Sequence, residues 1–388
     1  MNSIQIVLAK DIIPADTELA IAKANDKKKE IAQLANQFSG LTAFEDHQAG
    51  CSENTNKAQH GDLSLFGNFI NSIYDSADNT ELALDKDDRL SAGQLFRDPA
   101  IWQVVTHGLV KLFRKHMLEQ GFSISSVNRA LSSIRRYASL ASEAGQLPFQ
   151  EMFLIKQVAG YSQAKGKNID EDRPKSRRGN KKEESIPIPH EVIDVLLSED
   201  TYPDTAVGKR DRLIIAILLD WGLRASEISA LKPDKVDMQA GLISVYRKKT
   251  KSTDKLTMTP AIQQALKDYL AQDTPPPHPD GSFLIRAGYR TGILRDVGMT
   301  PSAVSKVMTK YGKLMAIQFN MPQLAKLSSH DGRHQWTTDA FNAGINIDRI
   351  QQAGGWSSSA MPIRYANNRE IANDSALLDR AHLKIQNN

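Results

Sequence analysis

The sequence is short of several things, and each shortage removes a class of function. It has one cysteine, Cys51, in 388 residues. An internal disulfide is therefore impossible, and a reducing, intracellular setting is the simplest expectation. Nothing around Cys51 would lower a thiol pKa, so no cysteine nucleophile is expected there. The longest apolar run, around Leu213 to Leu219, is far too short to cross a bilayer. The opening MNSIQIVLAKDIIPAD has no basic segment ahead of an apolar stretch, which argues against a secretory signal. No glycine-rich phosphate loop ending in Lys-Ser/Thr is present. Asp331 and Asp339 flank a histidine, but the converging acids of a two-metal site are missing. The chain is expected to need no metal and no other cofactor.

Charge is present in local concentrations and not in the total. The net charge is only +4, which permits nucleic-acid binding without requiring it. RKKTK (Arg247 to Lys251) is basic at four of five positions, and RPKSRRGNKK (Arg173 to Lys182) at six of ten. The second run has the composition of a solvated linker.

The length suggests more than one domain. Residues 1–88 read as an N-terminal extension of unknown role, partly helical. Residues 89–161 carry a strong helical pattern. WQVVTHGLVKLFRKHMLEQG ends at Gly121, a plausible C-cap, and SISSVNRALSSIRRYASLASEAG starts on serines suited to an N-cap. Val127, Leu131, Ile134 and Leu140 form one apolar stripe of that second helix, and Arg129, Arg135 and Arg136 fall on the other side. Residues 162–185 form a basic linker, and 186–388 a second domain. There RDRLIIAILLDWGL is apolar almost all round, hence a buried helix. GLISVYRKK and DKLTMTP alternate like two strands joined by a tight turn near Lys251 to Asp254. Further helices are predicted from Pro260, Thr300, Thr337 and Ile371. The expected fold class is mainly α with a small antiparallel β-sheet.

Within the second domain a set of reactive types recurs in order. Arg224 and Glu227 stand in GLRASEISAL, Lys249 in VYRKKTKS, His330 and Arg333 in SSHDGRHQW, Trp356 in AGGWSS and Tyr365 in IRYANN. Singly each has an ordinary explanation: an intrahelical ion pair, a surface turn, a packing anchor. In this order and spacing they resemble the tyrosine recombinase (phage integrase) family, whose pattern is Arg, Lys, His-x-x-Arg, His or Trp, then Tyr. The resemblance runs from about Ser91 to His382, is strongest from Arg210 to Asn368, and looks closest to the Cre-like members. Most relatives carry histidine where this chain has Trp356. Because the hairpin is basic throughout, Lys251 or Lys248 could hold the role given to Lys249.

The resemblance implies a helical core-binding (SAM-like) domain and a mixed α/β catalytic domain that form a C-shaped clamp on DNA. A last helix, 371–386, would dock on a neighbouring protomer. It implies a site-specific recombinase that cuts and rejoins double-stranded DNA at inverted-repeat sites, as a homotetramer on synapsed DNA and a monomer when free. The setting would be cytoplasmic, at the bacterial nucleoid. Tyr365 would attack the phosphodiester to give a covalent 3′-phosphotyrosine, with His330 as base and Lys249 protonating the 5′-oxygen. Arg224 and Arg333 supply always-protonated forks for the phosphate oxygens. Trp356 would offer an indole N–H, and Glu227 would hold Arg224 in place. Arg129, Arg135, Arg136, Arg247, Lys251, Lys306 and His334 are the expected DNA contacts. The rival readings are a type IB topoisomerase or telomere resolvase, and a silent DNA-binding regulator.

Overall fold

The computed structural model describes residues 15–75, 89–162, 185–248, 250–272 and 283–366, with side chains for all but 15–24, 37, 75 and 364–366. The fold is mainly α with small antiparallel sheets, and it divides into two units between Lys181 and Lys182.

The first unit contains α1 (Ala15–Gly50), α2 (Glu53–Asp75), α3 (Gln94–Arg97), a 3₁₀ turn (Pro99–Val104), α4 (His107–Glu119), α5 (Ile124–Glu143) and α6 (Phe149–Gln157). Ser123 caps α5 as its serine-rich start predicts, its hydroxyl accepting the Ser126 N–H at 3.3 Å. Val127, Leu131 and Ile134 on α5 are wholly buried and Leu140 nearly so, which makes this helix the centre of the core.

The boundary expected after residue 88 does not separate two cores. Phe44 on α1 and Leu63, Phe66, Phe69 and Ile70 on α2 are buried in the same cluster as Phe113, Val127 and Tyr137. Buried Asp62 on α2 takes a forked ion pair from Arg129 at 2.8 Å and a hydrogen bond from the Ser133 hydroxyl at 2.9 Å. From Ala43 onward the segment is therefore part of the helical unit. Its stripe of Leu63, Phe66, Ile70 and Ile73 was present at helical spacing, but polar, glycine-containing sequence surrounds it. Phe66→Ala should destabilise the first unit by about 3–5 kcal/mol, as for other buried phenylalanines, read as a lowered urea midpoint. A surface extension would leave the midpoint unchanged.

The second unit contains α7 (His190–Leu197), α8 (Ala206–Asp220), α9 (Ala225–Ser229), β1 (Val236–Asp237), β2 (Leu242–Arg247), β3 (Ser252–Thr257), α10 (Pro260–Leu270), β4 (Arg286–Gly288), β5 (Leu294–Gly298), α11 (Pro301–Gln318), α12 (Ser329–Asn342), α13 (Ile347–Gly354) and α14 (Ala360–Ala366). Leu213 through Leu219 on α8 are all buried, as an all-apolar helix requires. β1, β2 and β3 form an antiparallel sheet in that order, with Arg247 opposite Ser252 at the turn end. The β4–β5 hairpin was not anticipated.

α12 begins eight residues before the predicted start at Thr337. Ser328 and Asp331 close a capping box, Asp331 accepting the Ser328 N–H at 2.7 Å and its hydroxyl at 2.6 Å. The other oxygen of Asp331 accepts the Ile186 N–H at 2.9 Å, and Gln335 takes that of Ile188 at 2.8 Å. Ile186 and Ile188 are thus tied to the helix that carries His330 and Arg333. Among the described residues no helix is long and apolar enough to cross a membrane.

Candidate active site

Arg224 is placed by a turn that only glycine fits. After α8 the chain reverses through Gly222 at φ 57°, where an added Cβ would lie 2.5 Å from the Trp336 ring. Arg224 then serves as the N-cap of α9, and Glu227 reaches back to it. The Glu227 carboxylate, 5% exposed, accepts the Arg224 backbone N–H at 2.9 Å and its Nη1 at 2.7 Å. Its Oε2 also accepts Nη1 of Arg247 at 2.9 Å. One buried anion therefore orients two arginines.

Arg333, on the second turn of α12, is 3% exposed. Its Nη1 donates to the Gly222 carbonyl and its Nη2 to the Gly354 carbonyl, both at 2.6 Å. The guanidinium lies over the Trp356 ring, 4.0 Å from the centroid, and Trp356 in turn stacks near Trp336 at 6.2 Å. Cation–π contact and two carbonyls hold a buried charge that would otherwise be costly.

Three arginines meet at one helix end. Nη2 of Arg247 donates to Ala353 O at 2.5 Å, Nη2 of Arg333 to Gly354 O at 2.6 Å, and Nη2 of Arg224 to Gly355 O at 3.2 Å. The last carbonyls of α13 lack helical partners and carry partial negative charge, which suits cations. Since successive Cα atoms lie about 3.8 Å apart, this run draws Arg224 and Arg333 into one small region although 109 positions separate them in the sequence. Gly355 stands at φ 61°, and a Cβ there would lie 2.9 Å from Nε of Arg247.

His330 is exposed on the first turn of α12. Its ring meets that of half-buried His334 edge-on, 5.5 Å between centroids. α14, which carries Tyr365, follows Trp356 after three residues. The Tyr365 side chain and all of Lys249 lie outside the described residues.

Residues 188–371 match the phage integrase family. The second unit belongs to that family. A tyrosine recombinase XerC of Syntrophus aciditrophicus is 24% identical over 211 residues, 52% of this chain and 65% of its own length. The chain thus spans slightly less than two thirds of that relative. A tyrosine recombinase XerA of Pyrococcus furiosus is 24% identical over 248 residues, 63% of this chain and 77% of its own. Among solved structures, the Tn1549 transposon integrase in complex with circular intermediate DNA aligns with a TM-score of 0.54 at 19% identity, covering 82% of this chain and 99% of that one. That likeness is one of fold.

Within this integrase-family unit the structure brings Arg224, Glu227, Arg333 and Trp356 together, with His330 one turn before Arg333. Arg247, expected on the DNA, is instead fully buried, so that expectation is corrected. It was legible: in LISVYR the alternation buries Ile243 and Val245, and Arg247 shares their face. Lys251, at φ 54° in the hairpin turn, and Lys306 on α11 are exposed. In the first unit the three arginines of α5 do not make a free basic face. Arg129 pairs with Asp62, and Arg135 donates to Val158 O. Arg136 donates through Nε to His47 Nδ1 at 3.3 Å. The linker positions 163–184 and the exchange helix 371–386 lie outside the described residues.

Proposed function

We propose that the chain is a site-specific DNA recombinase acting through a covalent 3′-phosphotyrosine. The observation that carries this reading is the meeting of Arg224 and Arg333 on adjacent carbonyls, Gly355 O and Gly354 O, beside Trp356. Two fixed guanidinium groups so close together repel one another unless an anion joins them. A scissile phosphate is such an anion, and its pentacoordinate transition state carries more negative charge than the ground state. Arg224 retains 26% of its side-chain exposure, so it can turn a free edge to a substrate.

In this scheme the Tyr365 oxygen bonds to phosphorus while the bond to the 5′-oxygen breaks. The phenolic proton passes to His330, and the leaving 5′-oxygen takes a proton from Lys249 on the β2–β3 hairpin. An ammonium gives up a proton far more readily than a guanidinium, which suits lysine to that step. The phosphotyrosine keeps the energy of the broken bond, and a second 5′-hydroxyl reverses the step on a new strand. Duplex DNA with inverted repeats is the proposed substrate, and a homotetramer across two sites the proposed assembly. The Tn1549 integrase of like fold was solved on circular intermediate DNA, which supports the DNA partner.

The test is trapping on a nicked suicide duplex that carries the recognised site. The expected product is a protein–DNA adduct that digestion and mass spectrometry assign to the peptide bearing Tyr365. No adduct, or one on another residue, overturns the proposal. Rapid relaxation of supercoiled DNA lacking that site would favour the topoisomerase reading.

A further inference from the structure

Arg247 has no part in the scheme above, yet it is the most deeply buried arginine among the described residues. Its three nitrogens go to three different elements. Nε donates to Asp254 on β3 at 2.9 Å, Nη1 to Glu227 on α9 at 2.9 Å, and Nη2 to Ala353 O at the end of α13 at 2.5 Å. Its backbone also closes the hairpin turn, the Arg247 carbonyl accepting the Lys251 N–H at 2.7 Å. Lys249 follows two residues later in the sequence.

A guanidinium is an expensive choice for this position. Ile243 and Val245, its neighbours on the same strand face, are apolar and wholly or nearly buried, and an aliphatic side chain would fill the site without desolvating a charge. What an aliphatic residue cannot do is fix direction. Three donors in a rigid plane, each met by a separate acceptor, set the angle at which β2 leaves the core.

We infer that Arg247 is a positioning residue: by gripping Asp254, Glu227 and Ala353 O together, it holds the base of the β2–β3 hairpin, and with it Lys249, in register with the Arg224–Glu227 pair. The inference rests on the strand-exchange reading and on a hairpin lysine as the proton donor. It links two halves of the chemistry, since Glu227 bonds to Arg224, which faces the phosphate, and to Arg247, which anchors the strand leading to the acid.

The test compares single-turnover cleavage of two suicide duplexes by the full chain. One has the ordinary 5′-bridging oxygen, the other a sulfur there, whose thiolate leaves without needing a proton. General-acid loss costs roughly 10²–10⁴ in rate, and a misplaced acid somewhat less. Arg247→Met is expected to slow the oxygen substrate about 10- to 100-fold and to recover at least about tenfold on the sulfur substrate, following Lys249→Ala. Arg247→Lys, which keeps the charge but not the planar fork, should fall between. Asp254→Asn loosens one anchor and leaves Glu227 and Ala353 in place, so it carries the test if Arg247→Met does not fold.

Equal losses on the two substrates, or no loss at all, would overturn the inference while the recombinase reading stands. If the parent forms no adduct, the recombinase reading falls and takes the inference with it. If the parent cleaves but sulfur rescues neither Lys249→Ala nor Lys251→Ala, the hairpin holds no acid, and the inference alone is overturned.

Discussion

Tyr365→Phe is expected to form no covalent adduct while binding DNA as the parent does. Removing a covalent nucleophile costs at least about 10⁴ in rate. Three tyrosines of the second unit are committed to its interior. Tyr202 donates to Leu196 O at 2.5 Å, Tyr269 to Leu284 O at 2.9 Å, and Tyr311 to Asp211 at 3.3 Å. Burial pushes all three phenols above the usual tyrosine range, with Asp211 adding to the effect at Tyr311. A phenol that holds its proton so firmly is a poor nucleophile near neutral pH. Tyr246 and Tyr289 are exposed, and Tyr246 projects from the face of β2 opposite Arg247. Tyr246→Phe and Tyr289→Phe should therefore leave the adduct intact. The measurement is adduct yield on the suicide duplex beside a mobility-shift titration. An undiminished adduct in Tyr365→Phe would mean that the nucleophile lies elsewhere.

Glu227→Ala should cost about 3–5 kcal/mol in the stability of the second unit, the range for stripping one partner from a buried ion pair. The loss is doubled in kind because the carboxylate serves two guanidinium groups, and Arg247 is wholly enclosed. Cleavage should fall as well, by about 10²-fold, since Arg224 loses the group that aims it. Glu227→Gln keeps the shape and one acceptor, so its melting temperature should lie between the two while its cleavage defect remains. Thermal melting with the rate on suicide DNA checks both parts. A variant that melts and cleaves like the parent would show that Glu227 holds neither arginine in solution.

The sequence revealed the identity of these side chains more readily than their support. Arg224, His330, Arg333 and Trp356 stood out because side-chain type and spacing are written in the letters. The acceptors of Arg333 did not, because they are peptide carbonyls of Gly222 and Gly354, and a carbonyl has no letter of its own. Arg247 differs from its expected place for a different reason: a stretch basic at four of five positions looks solvated, and it conceals a two-residue alternation that buries its first member. The start of α12 lies earlier than the apolar pattern predicts because SHDGRHQ has no apolar stripe, and the cap between Ser328 and Asp331 is the local signal for it. The N-terminal helices do not announce themselves in the sequence because their apolar positions find partners at a distance along it, on α3, α4 and α5.

The carbonyl run at Ala353, Gly354 and Gly355 changes how this stretch should respond to alteration. Peptide oxygens are the same whatever side chain follows, so outside the two glycines a swapped letter leaves all three acceptors where they are. An extra residue is another matter: it would turn the helix end by about 100° and slide every arginine off its oxygen at once. In this segment the number of residues, more than their kind, is what the chemistry depends on.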